Sequence, residues 1–202
     1  AYSTVPQEIL SGEDIVTQAR IVTDPASGAK IQVPGLEPTP LSVYLTLLTS
    51  MFMHGGLMHL FGNMLYLYIF GDNIENRIGH RRYLIFYLIC GLLASLAHVF
   101  TSAALSGNLL IPSLGASGAI SGVLGGYLLL FPQRRVRIML FYRIVQVPAL
   151  VAIGVWFLFQ IISSLGMLSE DSGGVAYGAH IGGFIAGLVL IKFFPPLSDS
   201  RK

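Results

Sequence analysis

The sequence predicts an all-α membrane protein, a polytopic helix bundle, and three observations carry that prediction. Of its 202 residues 53% are hydrophobic and only 11% charged, with a mean hydropathy of +0.70, whereas a soluble domain carries roughly 25% charged residues. Apolar runs cover 57–74, 83–105, 114–131, 147–167 and 177–194, each near the roughly 20 residues needed to span a bilayer. The basic residues fall in alternate loops. Arg77, Arg81 and Arg82 follow the first run, Arg134, Arg135, Arg137 and Arg143 the third, and Lys192, Arg201 and Lys202 the fifth, which leaves only Arg20 and Lys30 elsewhere. Positive residues collect in cytoplasmic loops, so these loops face inside. The amino-terminal segment, the loop over 106–113 and the acidic loop around Glu170 and Asp171 then face outside. The expected organisation is an external polar lead-in over 1–40 and one transmembrane helical domain with five spans over 41–202.

In the lead-in, Pro6, Pro25, Pro34, Pro38 and Pro40 with Gly12, Gly28 and Gly35 break any long helix or strand. It lacks the basic start and apolar core of a signal peptide, and a chain that begins at Ala1 is expected to be a piece of a longer one. Residues 41–56 are apolar but interrupted by Ser42, Thr46, Thr49, Ser50 and Gly55-Gly56. This pattern suits a membrane-embedded external loop with a short helix, a further span being the alternative. The first span opens on His54, His59 and Asn63, and polar residues at membrane depth are functional suspects because they are costly there. His59 and Asn63 are four apart and share a face. His54 is five before His59 and turns away from it, and no Glu lies between them as in a His-Glu-x-x-His helix, so no metal is expected.

In the inner loop that follows, Glu75 and Arg77 read as local stabilisers and His80 as a solvated side chain. The second span contains Cys90, the single cysteine, a small buried apolar residue that excludes an intrachain disulfide. His98, near that span's external end, is expected to satisfy a backbone carbonyl. The third span opens on Ser117 among Gly115, Gly118 and Gly122, and small residues four apart let membrane helices pack closely. The fourth carries Trp156, Phe157 and Phe159 and reads as a peripheral helix facing lipid. The fifth places His180, Gly183 and Gly187 at i, i+3 and i+7, a small face with an ionisable group at its mouth.

With this topology His59, Asn63, Ser117 and His180 all enter from the external face at similar depth, and each is costly to bury without a purpose. Their chemistry is coherent. Serine becomes a nucleophile when a neutral imidazole takes its proton, and the imidazolium can return that proton to a leaving amine. The tetrahedral oxyanion needs donors, which an imidazole N–H, an Asn amide and the Ser117 backbone N–H could supply. No carboxylate accompanies them, so the expectation is a Ser–His dyad with glycine packing as the orienting element and no cofactor. A Gly-x-Ser-x-Gly elbow fails at Ala119, which disfavours an α/β-hydrolase. A transporter would line a path across the whole bilayer, whereas these residues cluster at one face. The basic residues are loop charges, so no nucleic-acid partner is expected.

Gly115-Ala116-Ser117, the stretch from Ala179-His180 through Gly183 to Gly187, and the earlier His59 and Asn63 together resemble the rhomboid family of intramembrane serine proteases over residues 41–194. The resemblance implies a rhomboid-type bundle that lacks the family's first helix. It also implies Ser117 as nucleophile, His180 as base, and His59 and Asn63 with the Ser117 amide as oxyanion hole. The fourth span becomes a lateral gate, and Glu75-Asn76-Arg77 matches the family's Glu-x-Arg. Transmembrane proteins in the lipid bilayer are the implied substrates, with a bacterial inner membrane as the expected location. A non-catalytic relative that binds membrane helices is the alternative, although such relatives lack the serine or the histidine. Many members place an aromatic four residues after the serine to stack on the histidine, where this chain has Ser121.

Overall fold

The computed structural model describes residues 1–23, 30–106, 109–166 and 176–197. In chain order it contains α1 (Pro6–Ser11), β1 (Arg20–Thr23), β2 (Lys30–Val33), α2 (Thr46–Thr49), α3 (Leu57–Tyr66), α4 (Asp72–Ile78) and α5 (His80–Thr101). There follow α6 (Ser117–Leu130), β3 (Arg135–Leu140), β4 (Arg143–Pro148), α7 (Ala149–Gly166) and α8 (Tyr177–Leu190). A π-helical turn over Leu67–Gly71 joins α3 to α4. Short 3-10 turns flank α2, so that Val43–Phe52 forms the short apolar helix expected before the first span.

The architecture follows from the glycines of α6. Every residue from Gly118 to Tyr127 is buried, as expected of a helix without a polar face. A Cβ on Gly183 of α8 would overlap the Gly118 carbonyl, and one on Gly187 would overlap that of Gly122. The paired numbers rise together, so α6 and α8 run parallel with their backbones in contact. On the other side Gly118 meets Ala94, Gly122 meets Cys90 and Gly126 meets Phe86, which makes α5 antiparallel to α6. In lipid, apolar burial gives helices little reason to associate, and close approach of small residues supplies packing energy instead. Phe70, Ile74, Ile78, Phe86 and Tyr127 close the core toward the far end of α6. Large apolar side chains on the outer faces of α3 and α7, among them Leu57, Phe61, Val155 and Phe159, are exposed as a lipid-facing surface requires.

The basic loops gather at that far end. The Arg77 and Arg134 guanidinium groups lie 5.7 and 5.6 Å from the centre of the Phe131 ring. Arg82 donates to the Pro195 carbonyl, and the Leu197 N–H donates to that of Arg77. Glu75 pairs with His80 at 2.6 Å. Glu170, Asp171, Arg201 and Lys202 lie outside the described residues.

Three features differ from the sequence expectation. By length and composition one helix among the described residues, continuous over His80–Leu105, is long and apolar enough to cross a membrane, and α6, α7 and α8 are shorter apolar helices. The count of five full-length spans is therefore not reached by this measure. The 14 residues of α6 rise about 21 Å, against about 30 Å for a hydrocarbon core. The run 57–74 is helical but already includes Asp72, and its last helix, α4, continues through Glu75 and Arg77. Secondly, the inner loop after α6 folds into the β3–β4 hairpin, with Phe141 and Tyr142 at positive φ at its tip. Thirdly, the lead-in forms α1 and the β1–β2 hairpin, and Thr4 exchanges backbone bonds of 2.9 and 2.8 Å with Ser113. The Thr4 hydroxyl also bonds the Thr46 carbonyl and the Ser50 hydroxyl. Proline breaks long elements but leaves room for these short ones.

Candidate active site

Three helix beginnings converge at the end opposite the arginines. His59 is the third residue of α3, Ser117 the first of α6 and His180 the fourth of α8. The parallel register that sets Gly183 on Gly118 also brings Ser117 and His180 together, with Oγ 2.8 Å from Nε2. Because α6 starts at Ser117, the first helical amide bond is from Ile120 to Ala116. The N–H groups of Ser117, Gly118 and Ala119 have no helical carbonyl to meet.

Gly115 shapes the space in front of Ser117. Its φ of 117° is open to glycine and strained for other residues, and its N–H donates to the Ser50 carbonyl at 2.8 Å. A Cβ at this position would lie 2.9 Å from His59 Nε2 and 3.8 Å from Ser117 Oγ. The bare glycine thus leaves a gap between the imidazole and the hydroxyl, and it serves this gap and not the helix interface expected of it. His59 Nδ1 accepts the Gly55 N–H at 3.3 Å, so in the neutral ring the hydrogen sits on Nε2, which borders the gap. Asn63 is buried, and its amide donates to the His59 carbonyl at 2.9 Å, which leaves it a second N–H. His54 stands edge-on to His59 at 5.2 Å.

Two cavities meet at Ser117 and His180. One, of about 480 Å³, is bordered by His59, Ser50, Ser95, Ser113 and Gly115. The other, of about 360 Å³, runs between α3 and α7 past Met58, Asn63, Tyr66 and Trp156.

The far side of the His180 ring belongs to α7. Gln160, 6% exposed, turns its Oε1 to His180 Nδ1 at 2.8 Å. Trp156 lies 6.2 Å from the ring centroid with a 40° tilt. The two are four residues apart and share one helix face. The sequence reading expected glycine packing to orient His180 and assigned α7 to lipid, so it missed both contacts. The available signal was an amide inside an otherwise apolar span, the same argument that singled out Asn63. Ser121, at the position of the family's aromatic, donates instead to the Ser117 carbonyl at 2.7 Å.

A family model, the Rhomboid domain, matches residues 42–196. The chain is 30% identical over 147 residues to Rhomboid protein 1, mitochondrial, of Saccharomyces cerevisiae, covering 72% of this chain and 40% of that protein. It is 35% identical over 145 residues to RHOMBOID-like protein 4 of Arabidopsis thaliana, covering 71% and 32%. It is 35% identical over 141 residues to Rhomboid protease GluP of Bacillus subtilis, covering 70% and 24%. The chain thus spans less than half the length of these three relatives. Rhomboid proteins are integral membrane proteins, and relatives of mitochondrial, plant and bacterial origin do not support the bacterial inner membrane expected from the sequence.

Proposed function

We propose that this chain, which belongs to the rhomboid family, is a serine-type endopeptidase that cuts transmembrane segments of membrane proteins near the external face. The observation that carries the reading is the 2.8 Å contact between Ser117 Oγ and His180 Nε2 at the meeting point of two cavities. In the proposed reaction Nε2 takes the hydroxyl proton while Oγ bonds the scissile carbonyl carbon. The oxyanion forms toward the gap beside Gly115, where the His59 Nε2–H and the Ser117 backbone N–H donate, and Asn63 turns its second N–H to it. The imidazolium then protonates the leaving amine as the C–N bond breaks. Water entering by the serine-lined cavity hydrolyses the ester and restores Ser117 by the same proton route.

A helix in lipid satisfies its own backbone bonds, so a substrate must unwind before a carbonyl can reach Ser117. We assign the entry route to the cavity between α3 and α7, with α7 as the moving side. The first test is labelling by a fluorophosphonate and cleavage of a single-span substrate in liposomes. Both are expected for the native protein and expected to vanish in Ser117→Ala and His180→Ala at unchanged thermal stability. Full cleavage by either variant removes the reading, and a native protein that binds the substrate helix without labelling or cutting identifies a helix-binding relative instead.

A further inference from the structure

An imidazole that takes a proton from Ser117 must offer Oγ the lone pair of Nε2, and must therefore hold its one hydrogen on Nδ1. Which nitrogen carries it is set by the partner on the other side. Here that partner is the Oε1 of buried Gln160, an acceptor only, at 2.8 Å. The opposite tautomer would set two lone pairs against each other. The titratable groups bordering the two cavities beside His180 are His59 and Tyr66 of α3. From α5 the larger cavity receives Gly91, Ala94 and Ser95, and from α7 the smaller receives Trp156. No carboxylate among the described residues borders either one.

We propose that Gln160 is the positioning residue that fixes the tautomer of His180, and that His180 is ready to act as base only while α7 is seated on α8. The inference rests on the reading of Ser117 and His180 as nucleophile and base. The seat of α7 is the Phe157–Phe184 stack, with centroids 4.1 Å apart and planes 22° apart, and Trp156 lies beside Phe184 at 6.2 Å. A hydrogen bond of this length tolerates a shift of roughly 0.5 Å before it weakens. Outward movement of α7 widens the smaller cavity and in the same step releases Nδ1. Entry and readiness of the base therefore exclude one another, and a substrate is attacked once α7 has closed behind it.

The test compares an isosteric loss of the acceptor with its retention. In Gln160→Met, fluorophosphonate labelling and kcat should fall by about 10²-fold, the low end for general-base loss, with KM and Tm unchanged. In Gln160→Glu, which keeps an acceptor at Nδ1, both should return to within about threefold of native, a margin well inside the same catalytic contribution. Native labelling in Gln160→Met, a loss matched by lowered Tm, or an active Met variant beside an inactive, folded Glu variant overturns the assignment and makes Gln160 a packing residue. Should Gln160→Glu not fold, the Met variant decides by its kcat. The link to α7 is read from a cycle with Phe157→Ala. That change should slow labelling in the native background and have no further effect in Gln160→Met, since both act through one bond. Equal slowing in the two backgrounds overturns the link. Failure here leaves Ser117-dependent labelling of the native protein intact, whereas failure of the underlying reading abolishes it.

Discussion

Replacing Gly183 by alanine adds one methyl group where the backbones of α6 and α8 touch. The new Cβ overlaps the Gly118 carbonyl oxygen and lies 3.1 Å from its carbon and 3.2 Å from Ala94 Cβ. None of these is the free end of a flexible side chain, so relief requires the helices to part. Restoring an ordinary contact near 3.5 Å moves α8 from α6 by roughly 1 Å. Ser117 adjoins Gly118, and His180 precedes Gly183 by one helical turn, so the 2.8 Å contact between them opens beyond hydrogen-bond range. A misplacement of that size costs about 10² in rate. The overpacking itself costs about 1–3 kcal/mol, which for a chain of this length lowers Tm by roughly 2–4 °C per kcal/mol. Labelling rate by a fluorophosphonate and thermal melting in detergent measure the two effects. Gly154→Ala on α7, where a Cβ meets nothing within 4 Å, is the control and should match the native protein in both. A Gly183→Ala protein that labels and melts as the native one does refutes the claim that backbone contact sets the site.

His59→Ala and Asn63→Ala should each lower turnover by about 10²–10³ through loss of an oxyanion donor, while slow labelling of Ser117 persists; near-native turnover in both shows that they only pack. Gly115→Ala places a left-handed φ on alanine, costing about 1–2 kcal/mol, and pushes its methyl into His59, so activity should fall more than stability, as measured by kcat/KM beside Tm. For Glu8, buried in the lead-in, burial raises the carboxyl above its ordinary range, the Ile15 N–H opposes this, and Asp14 adds to it. The folded segment thus holds the proton more tightly than the unfolded one. The resulting stabilisation is complete below the ordinary carboxylate range and is lost as pH rises through the raised value. Glu8→Gln should therefore protect the lead-in from limited proteolysis at neutral pH and make no difference in acid; a reversed order contradicts the sign. Mass spectrometry of products should place cleavage near the external end of a single-span substrate, faster with a Gly-Ala pair in its last turn; cuts at the arginine-rich side refute the topology.

Composition and loop charge alone determined that the chain is a helical membrane protein and which end carries the arginines, because desolvation and the inner-leaflet preference act residue by residue. Spacing determined which glycines could let α6 meet α8, since a helix repeats with fixed period, and it identified His59, Asn63, Ser117 and His180 as polar groups too costly to bury idly. The tertiary structure decided what those periods cannot hold. Only the three-dimensional register brings Ser117 to His180 across residues far apart in sequence. Gly115, read from spacing as a packing residue, owes its place to a positive φ and to the gap it leaves beside His59. Local order in the lead-in comes from a strand partner at Ser113, which lies more than a hundred residues along the chain. α6 stops at Leu130, just before Phe131 and Pro132, and begins only at Ser117, so an apolar run of near-span length became a shorter helix. Gln160 was visible as one amide in an apolar run, but its partner was not. A helix's period tells which residues share a face; which neighbour that face meets depends on the packing of the whole bundle, and that is fixed by contacts between segments and not within one.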